Sequence, residues 1–440
     1  MTPNRREFLK TTAVATAGAS LGLMASGNFA YARGSDTIRV GVIGCGGRGT
    51  GAAANCVEGS EGMQIAAMGD LFEDRLDQSR KELQEEIGAA LTVTDDTAFI
   101  GFDAYQRVIE SDVDLIILAT PPVFRPLHID AVVAAGKHLF TEKPVAVDPV
   151  GVRRVIAAGD IATQKGLSIV SGTQRRHDAA YIETMRRIHD GAIGEVLSAQ
   201  VYWNQGGLWN NDRLPGQSDM EFMLRNWLYY TWASGDHIVE QHIHNIDVAN
   251  WAFGGNPVRA NGVGGRQVRV DPKYGHIFDH FCIEFEYANG ARVISMCRQQ
   301  DGTARYVGER IAGTLGHSDG HSYIEGPKSW KWAWPNDEPV NPYVQEHTNL
   351  VAAIRAGEPV NEARRVAEST LSAIMGREAA YTGQVIEWDE IMSSNLDITP
   401  TTWEFGSVEA TPVAQPGITQ LERPRTGHRH ENITRDEISE

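Results

Sequence analysis

The chain has 440 residues, 42% apolar and 22% charged, with a formal charge of −17. That length suits two domains, and the composition is globular, neither disordered nor fibrous. The acid excess lacks the basic footprint that phosphate binding needs, so no nucleic-acid partner is expected and a small polar molecule fits better.

Residues 1–32 read as an export signal and are set aside before fold reasoning. Arg5 and Arg6 precede Phe8 and Leu9, a mild Gly/Ala-rich apolar run follows, and Ala30-Tyr31-Ala32 is a small-x-small cleavage site. This is a twin-arginine pattern, and its run is too weak for a stable membrane anchor. The expected location is periplasmic or otherwise exported. Loss of Arg5, Arg6, Lys10 and Glu7 brings the mature charge from −17 to about −19. Such a route carries folded proteins away from any free nicotinamide pool, so a cofactor would have to travel bound. Cys45, Cys56, Cys282 and Cys297 form no CxxC and imply neither a zinc site nor a disulfide framework; whether Cys282 pairs with Cys297 stays open.

The first strand, Ile38 to Ile43, is apolar and β-branched and turns through Gly44-Cys45-Gly46-Gly47-Arg48-Gly49 into an Ala-rich helix. Gly44 permits the tight turn, Gly46 lets backbone approach a pyrophosphate, and Gly49 allows close helix–strand packing. Gly47 and Arg48 sit at the helix N-terminus, where N–H groups receive phosphate. The second strand, "MQIAAMGD", ends at Asp70, 21 residues beyond Gly49. A carboxylate there accepts from the adenosine ribose hydroxyls and repels a 2′-phosphate, which favours NAD over NADP. Capping of the helix that begins near Phe72 is the plainer alternative for Asp70.

Strands follow in "DLIILATPP" (114–122) and "KHLFTEKP" (137–144), with a helix between them from about Pro126. This alternation predicts a parallel, doubly wound sheet with its ligand edge at Thr120, Pro121, Glu142 and Lys143. A lysine at that edge can reach a substrate beside the nicotinamide.

The glycine loop, Asp70, "ATPP" with His128, and "GKHLFTEKP" together resemble the glucose–fructose oxidoreductase / inositol dehydrogenase (Gfo/Idh/MocA) family over about residues 37–390. The resemblance implies an α/β Rossmann domain followed by an α+β domain with an open, mostly antiparallel sheet that carries the substrate site and an oligomer interface. The expected domains are 33–160 for NAD binding and 161–390 for substrate and self-association, with 391–440 as a polar arm or disordered tail. Period-two strands around an Asn289-Gly290 turn, and amphipathic helices in "QEHTNLVAAIRAGEP" and "NEARRVAESTLSAIMGREAAYTG", agree with this.

The family pattern Asp-x-Gly-x-His-x-x-Asp, then a tryptophan, is met here by Glu240-x-His242-x-His244-x-x-Asp247, then Trp251. Glu240 replaces the usual aspartate and His242 a glycine. The resemblance implies His244 as the base for a hydroxyl proton and Lys143 as the cation at the developing alkoxide, with Glu240 and His242 assisting. "GTQRRHD" adds Gln174 to the cofactor edge and Arg175 and Arg176 to the substrate; Trp227 and Tyr230 are candidate sugar-stacking rings, and Asp247 a further substrate contact. The His237-x-x-Glu240-x-His242-x-His244 spacing permits a metal, but no distant ligand is identifiable and none is expected.

The expectation is therefore an NAD(H)-dependent oxidoreductase acting on a sugar, inositol or related polyol as a homo-oligomer, dimer or tetramer. The alternative is a redox-neutral glycosidase that oxidises, eliminates, hydrates and reduces back. A sugar-binding protein with a dead cofactor site is the third reading, and the presence of both Lys143 and His244 argues against it.

Overall fold

The computed structural model describes residues 37–335, 338–409 and 411–423. The expected export signal and residues 424–440 lie outside the described residues.

Six strands, β1 (Ile38–Ile43), β2 (Met63–Asp70), β3 (Ala98–Ile100), β4 (Leu115–Leu118), β5 (His138–Thr141) and β6 (Ile169–Ser171), form one sheet in the order β3-β2-β1-β4-β5-β6. Every pairing is parallel. Continuous apolar runs such as Leu-Ile-Ile-Leu in β4 are buried at every position, as a sheet with covered faces requires. β6 joins this sheet, so the expected domain boundary at 160 falls inside the crossover helix Pro149–Lys165.

The second half builds a nine-stranded sheet from β7 (Val196–Gln205), β8 (Arg259–Gly265), β9 (His280–Glu286), β10 (Arg292–Gln299), β11 (Tyr306–Gly313), β12 (His317–Ser318), β13 (Tyr323–Glu325), β14 (Trp330–Lys331) and β15 (Ile386–Glu387). Its order is β14-β13-β12-β11-β7-β10-β9-β8-β15, and only β7 and β10 run parallel. Phe281, Ile283 and Phe285 of β9 point into the core while the alternate residues face outward. Cys282 stands opposite Met296 and Cys297 opposite Phe281 in the β9–β10 ladder, and all four thiols are free.

The helix Ala363–Thr382 is buried over most of its length and packs against the helix Pro149–Lys165 on one side and β8 and β9 on the other. Arg377 and Glu378, both fully buried, lie toward its C-terminal end. Arg377 Nη1 donates to the carbonyls of Val147 and Gly235 at 2.8 and 3.1 Å, and Arg423 donates to Glu378 at 2.7 and 2.9 Å. The segment expected to be an arm or disordered tail is therefore an ordered arm over the described residues up to 423. Leu396, Ile398 and Val408 are buried in one cluster with Phe72, Val123 and Trp232. A low density of apolar residues hid this, because single apolar side chains stand among polar ones from Ser394 to Val408.

The glycine turn fixes how closely the first helix meets the sheet. A Cβ on Gly49 would lie 1.8 Å from the Gly44 carbonyl oxygen. Gly44 itself has φ +91°, and a Cβ there would meet Ala119 backbone at 2.7 Å. We expect Gly49→Ala to destabilise the protein by about 1–3 kcal/mol through overpacking and to impair dinucleotide binding. Thermal melting and NAD titration check this; unchanged melting would mean the turn is looser than described.

Candidate active site

A cavity of about 520 Å3 opens at the carboxyl ends of β1, β2 and β4. Gly44, Gly46, Gly47 and Arg48 line its centre, with Asp70 toward β2 and Thr120, Pro121 and His128 toward β4. Every sequence-predicted cofactor residue on these strands reaches it except Gly49, which packs beneath the turn. The glycine cradle and the strand-end carboxylate fit a dinucleotide.

Asp70 Oδ2 accepts from Cys45 N at 2.6 Å and Oδ1 from Phe72 N at 2.9 Å. The carboxylate thus ties the glycine turn to Phe72, the residue before the helix Glu73–Ile87, without capping that helix's own N–H groups. His128 lies between the rings of Tyr105 and Phe124, at 4.1 and 5.7 Å. Burial, with Arg125 next, drives its pKa down to about 3, so it is neutral.

Arg125 was missed by the sequence reading. Its Nε donates to Thr120 O at 2.9 Å and its Nη1 to Pro144 O at 2.5 Å, stapling the loop after β4 to the loop after β5. An arginine inside the apolar stretch "PPVFRPLH" was the available signal. The staple holds Lys143 at the strand end.

Lys143 Nζ donates to the backbone carbonyl of Glu240 at 2.6 Å and lies 3.4 Å from Glu240 Oε1. Glu240 ends the short helix His237–Glu240, which starts from Asp236 in a left-handed backbone conformation, φ 71°. That conformation is unfavourable for a non-glycine residue and is held by its buried carboxylate. Asp236 accepts from Phe278 N at 2.8 Å and from the Tyr381 hydroxyl, and pairs with His237 Nδ1 at 2.9 Å. His244 follows in the helix Ile243–Phe253, stacked on Trp203 at 5.7 Å. Burial, then the charges of Lys143, Arg175 and Arg48, push its pKa well below the usual imidazole value. A neutral imidazole and an ammonium therefore share one corner beside β5.

Arg48 completes this corner from the glycine turn. It pairs with Glu142 and, at 2.9 Å, with Glu346, and lies 4.8 Å from the Tyr343 ring centre. Burial, with Glu142 next, pushes the Glu346 carboxyl well above its usual range. Gln174 Nε2 donates to the Tyr343 hydroxyl at 3.0 Å.

Other predicted residues are placed differently. His242 is fully buried, its Nε2 2.7 Å from Ser295 Oγ, so it faces the second sheet and not the Lys143 corner. Arg176 and Asp247, expected at the substrate, bind each other at 2.8 and 3.0 Å, with Ser369 donating to Asp247 at 2.7 Å. Arg175 pairs with Glu309, which also accepts from the Tyr181 hydroxyl at 3.1 Å and, through its other oxygen, from Asn245. Trp227 lines the dinucleotide cavity, and Tyr230 is buried beside Trp232 and His276 at the edge of a separate cavity. The linear motif could not show these pairings, because each partner lies 53 residues or more away apart from the Tyr230 cluster. Among the described residues no group of three metal-ligating side chains converges.

Residues 38–171 match the model of an oxidoreductase family with an NAD-binding Rossmann fold, GFO/IDH/MocA, and residues 181–318 match the C-terminal domain model of the same family. The chain belongs to that family. Residues 2–22 match the twin-arginine translocation signal, which places the protein on that export route. The chain is 25% identical over 260 residues, 58% of its own length, to a scyllo-inositol 2-dehydrogenase (NAD(+)) of Bacillus subtilis. It is 25% identical over 231 residues, 52% of its length, to an inositol 2-dehydrogenase of Acidothermus cellulolyticus. These matches span 65% and 58% of those relatives, less than two thirds of either. Its fold is similar to scyllo-inositol dehydrogenase of Lactobacillus casei, solved with NAD(H) and scyllo-inositol, at TM-score 0.60 and 18% identity, over 80% of this chain and 99% of that one. An aldose-aldose oxidoreductase of Caulobacter crescentus gives TM-score 0.61 and 20% identity over 80% and 99%.

The buried imidazoles set a pH dependence. Burial holds His128, His242 and His347 down to about 3 and His276 to about 4, whereas an unfolded histidine titrates near about 6.5. Between these limits the unfolded chain binds more protons, so stability falls as pH drops through that window. Below it Asp247 and Glu362 act in the same direction: against the burial penalty, Arg176 and Arg365 hold Asp247, and Arg365 and His177 hold Glu362, down to about 2. We expect unfolding free energy to decline steadily from pH 6.5 to 4, measured by urea melts. His242→Gln should flatten that decline by roughly 1.4 kcal/mol per pH unit, one proton's worth; an unaltered slope would mean His242 titrates normally in the folded state.

Proposed function

We propose that the protein is an NAD(H)-dependent oxidoreductase that acts, after export to the periplasm or beyond the cytoplasmic membrane, on a ring hydroxyl of an inositol, sugar or related polyol, with its cofactor tightly bound. The observation that carries this is the contact of Lys143 with Glu240 beside a neutral His244, at the strand end next to the glycine turn. In a doubly wound sheet the adenosine lies over β2 and the other nucleotide over β4 and β5, where these residues stand. The bound nicotinamide would supply the acceptor or donor for hydride.

The chain's own residues handle the proton and the charge. His244, neutral through burial, has a free lone pair to take the hydroxyl proton as the alcohol becomes a carbonyl. Lys143 supplies the cation for charge that develops on the oxygen, and a half-buried position makes that charge more effective than it would be in water. Glu240 orients the lysine through its carbonyl and carboxylate. Gly44, Gly46, Gly47, Arg48 and Asp70 would hold pyrophosphate and ribose, and Arg175, kept in place by Glu309, closes the far side of His244. The relatives named above are dehydrogenases and an oxidoreductase of aldoses, which supports oxidoreduction over the elimination–hydration route.

The same reading includes self-association through the outer face of the nine-stranded sheet. Val263 and Tyr306 stand 69% and 46% exposed there, and Met296 and Ile294 lie between them.

The test is Lys143→Ala assayed on the best substrate of an inositol and aldose panel. A group that acts in the transition state should lower kcat by at least about 100-fold with a much smaller change in KM. Cofactor occupancy and melting temperature should stay near wild type. A variant that keeps most of its turnover would make the lysine structural.

A further inference from the structure

The cavity over β1 and β2 has walls that its own sheet does not provide. Trp209, Leu224 and Trp227 reach it from the stretch between β7 and the helix Thr231–Ser234, in the other half of the chain. A nucleotide-binding sheet needs only its glycine turn and ribose carboxylate, so these side chains are additional. The Trp209 and Trp227 rings stand 6.3 Å apart at 59°, which offers a base one face and one edge. They line the same cavity as Gly101, Phe102 and Asp70, the carboxylate at which the dinucleotide reading puts the adenosine ribose.

This stretch is fastened to the first half and within itself, and the C-terminal arm packs on further walls of the cavity. Arg225 donates through Nη1 and Nη2 to the two oxygens of Asp74, at 3.0 and 2.9 Å, and its guanidinium lies 4.0 Å from the Phe72 ring centre. Bidentate geometry of this kind is the favourable case for an arginine–carboxylate pair. Inside the stretch, the Tyr229 hydroxyl donates to Leu208 O and Trp209 O at 3.0 and 2.9 Å, and buried Asn226 exchanges hydrogen bonds with the Asn211 backbone at 2.8 and 3.1 Å. From behind, Phe405 of the C-terminal arm stacks on Phe72 at 6.1 Å and meets Phe102 at 5.2 Å, while Trp403 meets Phe124 at 4.6 Å. Phe72, Phe102 and Phe124 are themselves walls of the cavity.

We propose that Trp209 and Trp227 form an adenine subsite, latched by Arg225–Asp74 and backed by the Trp403–Phe405 arm, that keeps the dinucleotide bound as a resident group through successive turnovers. The inference rests on the dinucleotide reading of the cavity. Release would require the roof to lift, which means breaking the bidentate pair and separating Phe72 from Arg225. The arm prevents the opposite wall from yielding instead. The adenine would gain a stacking partner on the side that a bare sheet leaves to solvent.

The experiment measures the release of NADH from the loaded, full-length mature protein, by its fluorescence, on chase with excess NAD. Wild type is compared with Trp209→Ala, which alters the roof, and Asp74→Asn, whose 63% exposed side chain makes it a mild change to the latch. Release should accelerate about 10- to 100-fold in Trp209→Ala, the range for loss of one base-stacking ring, and measurably in Asp74→Asn, while the melting temperature of the nucleotide-free Asp74→Asn protein stays near wild type. Release from wild type as fast as from both variants would overturn the subsite and latch. Fast release from Trp209→Ala with a silent Asp74→Asn would overturn the latch. A wild-type protein that takes up no NADH would overturn the dinucleotide reading itself and the subsite with it.

Discussion

The contact from Lys143 to Glu240 brings the two halves of the molecule together at the candidate site. Lys143 comes from the end of β5 in the parallel sheet, Glu240 from a short helix in the second half. Neither end is free to drift. Arg125 staples the loop after β4 to the loop after β5 that carries Lys143, and Asp236 holds an unfavourable backbone angle so that the helix carrying Glu240 starts in the right place. The helix Ala363–Thr382 packs on both halves and makes their spacing a property of the core.

Around this contact the protein buries an unusual amount of charge. Arg176 and Arg365 surround Asp247, Arg365 also pairs with Glu362 at 2.7 Å, and Arg175 pairs with Glu309. Buried pairs of this kind return little net stability, because desolvation offsets their attraction, yet removing one partner leaves a stranded charge and is costly. Their effect here is to fix geometry. Glu309 illustrates it: one carboxylate receives Arg175, Tyr181 and Asn245, and so holds three side chains in place at once. Burial, then the charges of Lys143, Arg175 and Arg48, keep the His244 imidazole neutral, which is the state a proton acceptor needs.

How much of this could be read along the chain follows from range. The glycine turn, Asp70, the strand ends at Thr120 and Lys143, and the Glu240–His244 spacing are local patterns tied to local geometry, and the structure brings them to one edge. The parallel sheet and the mostly antiparallel second sheet were legible for the same reason, through hydrophobic period. Residues whose role depends on a distant partner were not. His242 occupies a motif position but turns to Ser295, Asp247 is committed to Arg176, and Trp227 lines the cavity over the glycine turn and Asp70, which Lys143 does not line. The last stretch looked like a tail because its anchors, Leu396, Ile398, Trp403 and Val408, follow no sustained helical or strand period; they pack into the cluster around Phe72, Val123 and Trp232 instead.

The most direct measurement is the crystal structure of the mature protein loaded with NAD. The account predicts the adenosine ribose hydroxyls on Asp70 and the pyrophosphate against the Gly44–Gly49 turn. It also places the nicotinamide ring in the corner shared by Lys143, Glu240 and His244. A dinucleotide bound in the reverse sense, or one whose nicotinamide lies away from Lys143, would contradict it.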